Sequence, residues 1–183
     1  MTVARISRPS GPDASETAMP ANAQHDHDML ARRIETLLRT DRYSSPLGIR
    51  LHDARPCYAE LSMLVTPQAM NPHGSAHGGA VWTLADMAFG SAGYYDGPIL
   101  TTESKLTFLR ATPGGSRLYA RATQISRHGR SGIFHIVMGT DLADDTAICA
   151  IGQFSGRWAG LPPLEPASYS PFATEAELDG DPA

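Results

Sequence analysis

The stretch NPHGSAHGGAVWTLADMAFGSAGYY, from Asn71 to Tyr95, predicts the central helix of the fold. After Gly74 it consists almost entirely of small and apolar residues, with no lysine, arginine or glutamate. This composition is typical of a helix that is buried nearly all round. One carboxylate, Asp86, nevertheless lies in the middle of the helix, and that charge needs a physical explanation.

A solvated helix face is an unusual explanation for Asp86. Trp82 and Phe89 would share that face, and no basic residue within a turn could pair with the carboxylate. Burial of an unpaired carboxylate is costly or raises its pKa. Because perturbed groups of this kind concentrate at functional sites, we predict that Asp86 is functional. A structural carboxylate in the core is the alternative.

The helix begins after His77, Gly78 and Gly79, and this start allows two interpretations. His73 and His77 have the i, i+4 spacing of zinc ligands on a helix. The neighbouring proline and glycines disfavour a continuous helix through both, and no glutamate accompanies them, so we predict no metal site. A helix start without side chains instead exposes backbone N–H groups to developing negative charge, which is the chemistry of an oxyanion hole.

The rest of the folded part alternates between apolar and polar residues, which predicts strands. The glycine-rich links TPGGS and RHGRS suit antiparallel hairpins. We therefore predict an α+β fold in which an antiparallel sheet wraps around one long central helix. Gly90 and Gly93 disfavour a helix by roughly 1 kcal/mol each, so close packing against a sheet or a second copy of the helix is expected to require them. The positions expected on the core face of the strands are Cys57, Ala59, Leu61, Met63, Val65, Leu106, Phe108, Leu118, Ala120, Ala122, Phe134, Ile136 and Met138.

The 183 residues divide into one domain and two tails. Residues 1–25 are rich in proline, serine and acidic residues without an apolar period, which predicts a disordered N-terminal tail. Residues 26–160 form the domain, which opens with an amphipathic helix capped by Asp28. Residues 161–183 are again rich in proline and acidic residues and are expected to form a C-terminal tail.

Composition limits the partners and the compartment. The formal net charge of −4 argues against nucleic acid or an anionic membrane surface as the main partner. No run approaches the ~18 apolar residues of a membrane helix, and no apolar signal segment is found near the N-terminus. We therefore predict a cytoplasmic protein in which Cys57 and Cys149 are reduced thiols. Small molecules and other proteins are the partner classes that this leaves.

An ungapped pattern connects the helix start to the carboxylate: Asn71, Gly74, His77-Gly78-Gly79 and Leu84-Ala85-Asp86, followed by a strand that ends in TFLRA. Over about residues 45–158 this pattern resembles the hotdog-fold acyl-CoA thioesterases of the phenylacetate-pathway (PaaI) type. The resemblance implies hydrolysis of an acyl-CoA thioester to free acid and coenzyme A, with no cofactor. It also implies a homodimer or homotetramer in which sheets pair edge to edge and active sites lie at the dimer interface.

The resemblance implies a role for each residue of the pattern. Asp86 supplies the carboxylate that activates water or attacks the thioester. The Gly78 N–H polarises the thioester carbonyl with help from Asn71, and His77 orients that loop. Thr101 falls where a hydroxyl helps to place the water.

Several of these assignments leave alternatives open. Thr102 could replace Thr101 after a one-residue slip, and aromatic residues on a helix are often plain core. The RHGR segment could be a simple turn with solvated charges, and Ala111 stands where the family usually has proline after the arginine. The substrate-binding candidates are Gly79 at the helix start, Trp82, Phe89 and Tyr94 around the acyl group, and Arg110, Arg127 and Arg130 for the coenzyme A phosphates.

Helix geometry favours a site shared by two protomers. His77 and Asp86 are nine residues apart, which at about 100° per residue places them on opposite faces. One chain's helix start and its own Asp86 would therefore not easily meet at one carbonyl. A non-catalytic acyl-CoA binding or sensing protein with this fold is the main alternative. A hotdog dehydratase or hydratase would carry a different histidine signature, which the sequence lacks.

Overall fold

The computed structural model describes residues 21–162, with side chains from residue 25 onward. Neither α-helix in this part is long and apolar enough to cross a membrane. The helices are α1 (Ala21–Thr40) and α2 (Gly78–Gly93), and the strands are β1 (Arg50–Arg55), β2 (Tyr58–Leu64), β3 (Ile99–Phe108), β4 (Arg117–His128), β5 (Ser131–Gly139) and β6 (Ile148–Trp158).

The six strands form one antiparallel sheet in the order β1-β2-β4-β5-β6-β3. Helix α2 packs on one face of it, mainly against β2 and β4. The predicted α+β architecture, a sheet wrapped around one central helix, is therefore confirmed. Strand β3 follows α2 in sequence but pairs only with β6 among the described strands, which leaves it at the edge of the sheet.

The predicted alternation places the core correctly on the inner strands. Phe134 and Phe154, from neighbouring strands, pack against Phe89 of α2 at ring-centroid distances of 5.1 and 5.8 Å. Phe108 is 53% exposed, because it lies at the end of the edge strand where the core no longer covers it. The predicted core positions that are fully buried are Ala59, Leu61, Met63, Leu118, Ala120, Ala122, Phe134, Ile136 and Met138.

Helix α1 begins earlier than the sequence predicts. It starts at Ala21, so residues 21–25 are helical, and the predicted tail through residue 25 was wrong for them. The segment ANAQ consists mostly of good helix formers, which favours a helix through it. Asp28 consequently lies inside the helix and does not cap it. The predictions for residues 1–20 and 163–183 lie outside the described residues.

The first hairpin differs from the prediction at Cys57. The strands break at Pro56 and Cys57, and Cys57 has φ +70°, which excludes it from the strand that was predicted to contain it. Its backbone carbonyl instead accepts a hydrogen bond from the Gln124 N–H at 2.8 Å. Cys57 and Cys149 are both free thiols, as the sequence predicts.

The two glycines inside α2 have different surroundings. A Cβ at Gly93 would lie 2.7 Å from the Ile99 Cγ2 atom, so the strand approaches the helix too closely for a side chain there. A Cβ at Gly90 would meet nothing within 4 Å. The expected close packing is therefore found at Gly93, against Ile99, and no described residue of the same chain provides it at Gly90.

Candidate active site

The loop before α2 is held by its own polar groups. The Asn71 side-chain oxygen accepts hydrogen bonds from the N–H groups of His73 (2.9 Å) and Ser75 (3.3 Å). Its amide nitrogen donates to the Ser75 Oγ at 2.9 Å and the Ala76 carbonyl at 3.4 Å. The Asn71 amide therefore organises the loop in this chain, and its predicted contact with a carbonyl would require some of these bonds to open.

His77 caps the start of α2. Its backbone is extended (φ −66°, ψ 135°), and its Nδ1 atom accepts a hydrogen bond from the Gly79 N–H at 2.9 Å. Because Nδ1 accepts, a neutral His77 carries its proton on Nε2. The first N–H groups of a helix have no partner within the helix. His77 provides a partner for Gly79, whereas the Gly78 N–H has no acceptor among residues 21–162.

The Gly78 end of the helix opens onto a cavity of about 350 Å³. Phe108 and Arg110, at the end of β3, form part of the opposite wall. Asp86 does not line this cavity, which agrees with its position about two turns further along the helix. The lining residues are Asn71, Ser75, Ala76, Gly78, Val81, Phe108, Leu109, Arg110, Ala111, Thr112 and Cys149.

Helix α2 is not buried all round, contrary to the prediction. A line of residues at helical spacing reaches the surface, and we call it the open stripe: Gly79, Trp82, Asp86 and Gly90. Trp82 is 38% exposed, and its indole nitrogen donates to the Ser104 Oγ at 3.3 Å. The edge strand β3 thus runs along the open stripe, and no described strand lies beyond it.

Asp86 is half-buried on the open stripe. It has a hydrogen-bond partner that the sequence alone could not identify. The Thr101 hydroxyl donates a hydrogen bond to its Oδ1 atom at 2.8 Å. Burial raises the pKa of the Asp86 carboxyl above its usual value, and the Thr101 hydrogen bond opposes that rise. The negative charge of Asp41 adds a smaller increase to the pKa of Asp86.

A β-bulge selects Thr101 over Thr102. Thr101 pairs with Gly156 and Glu103 pairs with Ser155, so Thr102 is the extra residue between them. The alternation of side chains is interrupted at this point, and Thr101 is the threonine that faces the helix. The sequence alone allowed either Thr101 or Thr102 at this position, and the structure identifies Thr101 as the partner of Asp86.

Replacement of Thr101 by valine tests this hydrogen bond. Thr101→Val removes the hydroxyl but keeps the shape, so the pKa of Asp86 should rise further. If Asp86 must be ionised to react, the acid limb of the pH–rate profile should move to higher pH. Thr102→Val is the matched control and should leave that limb in place. If the acid limb of the pH–rate profile of Thr101→Val coincides with that of the wild type, the hydrogen bond from Thr101 to Asp86 does not affect the reaction.

Two of the aromatic side chains predicted to line the acyl group are buried in the core of this chain. Phe89 is 1% exposed and packs among core aromatic rings, because its position on α2 points it toward the sheet. The prediction that Phe89 lines the acyl group is therefore contradicted. Tyr94 is likewise buried, at the end of the helix. Trp82 is the candidate aromatic residue that reaches the surface.

The three candidate arginines lie in two separate places. Arg110 lines the cavity beside Gly78, and its guanidinium donates to the Thr146 carbonyl. Arg127 donates to Asp96 at 2.5 Å and stacks over Trp158, with 4.2 Å to the ring centroid. Arg130 donates to the Trp158 carbonyl at 3.1 Å. Because the Trp158 indole bonds the Gly93 carbonyl, these two arginines lie at the far end of α2, roughly 20 Å from Gly78.

Sequence reasoning missed three residues of this region. Ser104 supports Trp82, Asp41 acts on Asp86 from the end of α1, and Cys149 lines the cavity. Burial raises the pKa of the Cys149 thiol, which keeps it protonated and a poor nucleophile. No signal in the sequence marks them, since each is brought near by a contact between distant segments. Residues 21–162 contain no group of three or more His, Cys, Asp or Glu side chains that could hold a metal.

Comparison with known proteins gives a consistent family. The family model described as the thioesterase superfamily matches residues 73–139, which include the helix start, Asp86 and Thr101. The acyl-coenzyme A thioesterase PaaI of Escherichia coli is 32% identical over 102 residues, which cover 55% of this chain and 72% of that protein. A Deinococcus radiodurans protein provisionally named an esterase is 38% identical over 89 residues, 49% of this chain. This match spans only 60% of the length of that protein.

A solved structure supports the fold independently. The structure of the Escherichia coli PaaI protein superimposes with a TM-score of 0.66 and 24% sequence identity. The superposition covers 73% of this chain and 96% of that one. At this identity the likeness establishes the fold alone.

Proposed function

The chain belongs to the PaaI-type hotdog thioesterases of the thioesterase superfamily, and from this we propose that it hydrolyses an acyl-CoA thioester to a free acid and coenzyme A. The observation that carries the proposal is the Asp86 carboxylate on the open stripe of an otherwise buried helix. It is half-buried, its pKa is raised, and it is oriented by the Thr101 hydroxyl. A carboxylate with a raised pKa and a fixed orientation is suited to accept a proton from water.

The site is proposed to be shared between two copies of the chain. Among the described strands none pairs with the outer edge of β3, which is ten residues long, with Leu100 61% exposed and Phe108 53% exposed. An exposed edge of this kind pairs readily with another strand. Pairing of two β3 edges would bring the open stripe of each protomer toward the other, so that Asp86 of the partner subunit faces the cavity beside Gly78. A homodimer is the minimum assembly, and two dimers can form a homotetramer.

The chemistry follows from these two halves of the site. The thioester carbonyl oxygen accepts the Gly78 N–H, which stabilises the oxyanion as water attacks the carbonyl carbon. Asp86 of the partner subunit takes the proton from that water. When the carbon–sulfur bond breaks, the carboxylic acid returns the proton to the thiolate of coenzyme A.

Direct attack by Asp86 is the second form of the mechanism. The carboxylate would then displace coenzyme A and form an anhydride, which water hydrolyses. Single turnover in ¹⁸O-labelled water detects an anhydride that water opens at the Asp86 carboxyl, because the label then enters Asp86. Label confined to the product acid is expected for the general base, and the mass of the rapidly quenched protein separates that form from an anhydride opened at the acyl carbon, which would leave an acylated enzyme.

Release of free thiol from acyl-CoA tests the proposed function. Benzoyl-, phenylacetyl- and medium-chain acyl-CoA should each be offered to the purified protein with a thiol-reactive dye. A non-catalytic binding protein would bind these compounds without releasing thiol, and that result would contradict the proposal.

Light scattering at micromolar concentration should give a dimer or larger, because a monomer would lack the shared site.

Arg110 is the arginine proposed to bind a phosphate of coenzyme A. It lies at the cavity, and one bond to Thr146 leaves other guanidinium donors available. Arg110→Gln should raise KM for acyl-CoA about tenfold, the effect of losing one hydrogen bond to a charged group. KM for the matching acyl-pantetheine, which lacks the phosphates, should not change. An equal rise in KM for both substrates would mean that Arg110 supports the loop and does not bind a phosphate.

A further inference from the structure

A second cavity lies at the opposite end of α2 from Gly78. Its volume of about 460 Å³ is in the range of small-molecule sites, and it shares no lining residue with the cavity beside Gly78. Helix α1 forms one wall, and the turn between β1 and β2 forms another. Tyr95, which follows the end of α2, completes the lining, so the two cavities are roughly 20 Å apart. Asp86 lines neither of them.

Part of this second cavity is a fixed apolar wall. Its apolar lining residues are Met29, Leu30, Pro56 and Tyr95. Leu30 is only 7% exposed and belongs to the core cluster, so this part of the wall is anchored. The Tyr95 hydroxyl donates to the Gln124 Oε1 atom at 3.0 Å and accepts from the Arg127 guanidinium at 3.0 Å, which holds the ring in place. A preformed surface of this kind favours the apolar body of a ligand over water.

Two arginines supply the polar side of the cavity. Arg33 of α1 is half-buried, and Arg55, at the end of β1, lies over the Tyr58 ring with 4.4 Å to its centroid. The Arg55 Nε atom is 3.6 Å from the Asp53 Oδ2 atom, too far for a hydrogen bond, so the guanidinium keeps donors for a ligand. Among the described lining residues Asp26 is the only acidic one, and it is exposed. Guanidinium groups bind carboxylates through two parallel hydrogen bonds.

We propose that this second cavity binds a carboxylic acid with an apolar body, of the medium-chain or arylacetic class. Its carboxylate would accept hydrogen bonds from Arg33 and Arg55, and its body would lie against Met29 and the Tyr95 ring. Inorganic phosphate would leave the apolar wall uncovered, and a neutral apolar molecule would leave the two guanidinium groups without an acceptor. The cavity is separate from the proposed catalytic site, so the inference does not depend on the proposed thioesterase function.

Titration calorimetry of the full chain with octanoate and phenylacetate tests the inference. Octanamide and phenylacetamide have the same apolar bodies without the charge, and their Kd should be about tenfold higher or more, the effect of losing hydrogen bonds between charged groups. Arg55→Gln should raise the Kd of the acids by a similar factor and leave that of the amides unchanged. Arg32→Gln is the matched control, because Arg32 is exposed on α1 outside the lining, and it should change neither.

A non-hydrolysable octanoyl-CoA analogue distinguishes the two cavities. At saturation it should leave the Kd of the acids unchanged, because no lining residue is shared. Displacement of the acids by the analogue, with normal acid binding in Arg55→Gln, would place them in the catalytic site and overturn the inference. If Arg55→Gln does not fold, Arg33→Gln takes its place in the comparison.

Three other results would overturn the inference. Neither acid binds at millimolar concentration, inorganic phosphate binds as tightly as the acids, or the acids dissociate the assembly in light scattering, which would mean that a second copy of the chain covers the cavity. The outcomes are also separable from the proposed function. A protein that binds the acids but releases no thiol from acyl-CoA contradicts the function alone, and an active protein that binds neither acid contradicts this inference alone.

Discussion

Asp86→Asn is expected to lower the single-turnover rate by about 10²–10⁴-fold, the usual contribution of a positioned general base. The amide keeps the size of the carboxylate but accepts no proton at neutral pH. Binding of a non-hydrolysable substrate analogue should survive, because the Gly78 N–H and the cavity are unchanged. Rate and analogue affinity should be measured on the same preparation.

The stability of Asp86→Asn should hold or rise near neutral pH. The folded state raises the pKa of Asp86 above its unfolded value, so the ionised carboxylate opposes folding at every pH above the folded pKa. Wild-type stability should therefore increase as the pH falls through the folded pKa of this group. The Asp86→Asn variant would lack that dependence, and its amide oxygen can still accept the Thr101 hydroxyl.

Asp26→Asn, on the exposed part of α1, makes the same chemical change away from the site and should alter neither quantity. A purely structural Asp86 predicts the opposite pattern, with lower stability and normal turnover per folded molecule. A folded Asp86→Asn protein within threefold of the wild-type rate would end the proposed mechanism.

Gly78→Pro should lower turnover by about 10²–10³-fold, the effect of removing one oxyanion donor. Proline replaces the N–H that is proposed to bind the carbonyl with its ring Cδ atom, and it suits the first position of a helix. His77 already has the extended backbone that a residue before proline prefers. The helix should therefore form normally, and circular dichroism should match the wild type.

Gly78→Ala is the control, since alanine retains the N–H. Its Cβ would lie 3.8 Å from the Phe108 Cζ atom, an ordinary contact, so the fold should accept it. Turnover near the wild-type level in Gly78→Ala, with a large loss in Gly78→Pro, would identify the N–H as the active group. Equal losses in both variants would attribute the effect to crowding of the cavity.

The two inactive variants together test whether the site is shared. A hybrid dimer of one Gly78→Pro chain and one Asp86→Asn chain has one defective pair and one intact pair if each site uses both protomers. Such hybrids, purified through two different tags, should recover roughly half of the wild-type activity. A site contained within one chain would leave the hybrid inactive.

Local patterns in the sequence were enough to predict the helices and strands and to identify the motif from His77 to Asp86. Alternation along each strand depends on neighbouring residues alone, and it placed the core faces of β2, β4 and β5 correctly. The ungapped spacing from His77 to Asp86 identified both candidate reacting groups, because both belong to one helix and its start. The misplaced start of α1 and the turn at Cys57 are boundary errors, where local signals are weakest.

Contacts between distant segments decided the rest. The bulge at Thr102 chose which threonine bonds Asp86, and strand order left β3 at the edge beside the open stripe. The close approach of Ile99 requires glycine at residue 93, while no atom of the described residues lies within 4 Å of a Cβ built at residue 90. A sequence records the period of each element but not the register between elements, and register determines which side chains meet. For that reason the sequence identified Asp86 as the residue to explain, and only the tertiary structure supplied its partner, Thr101.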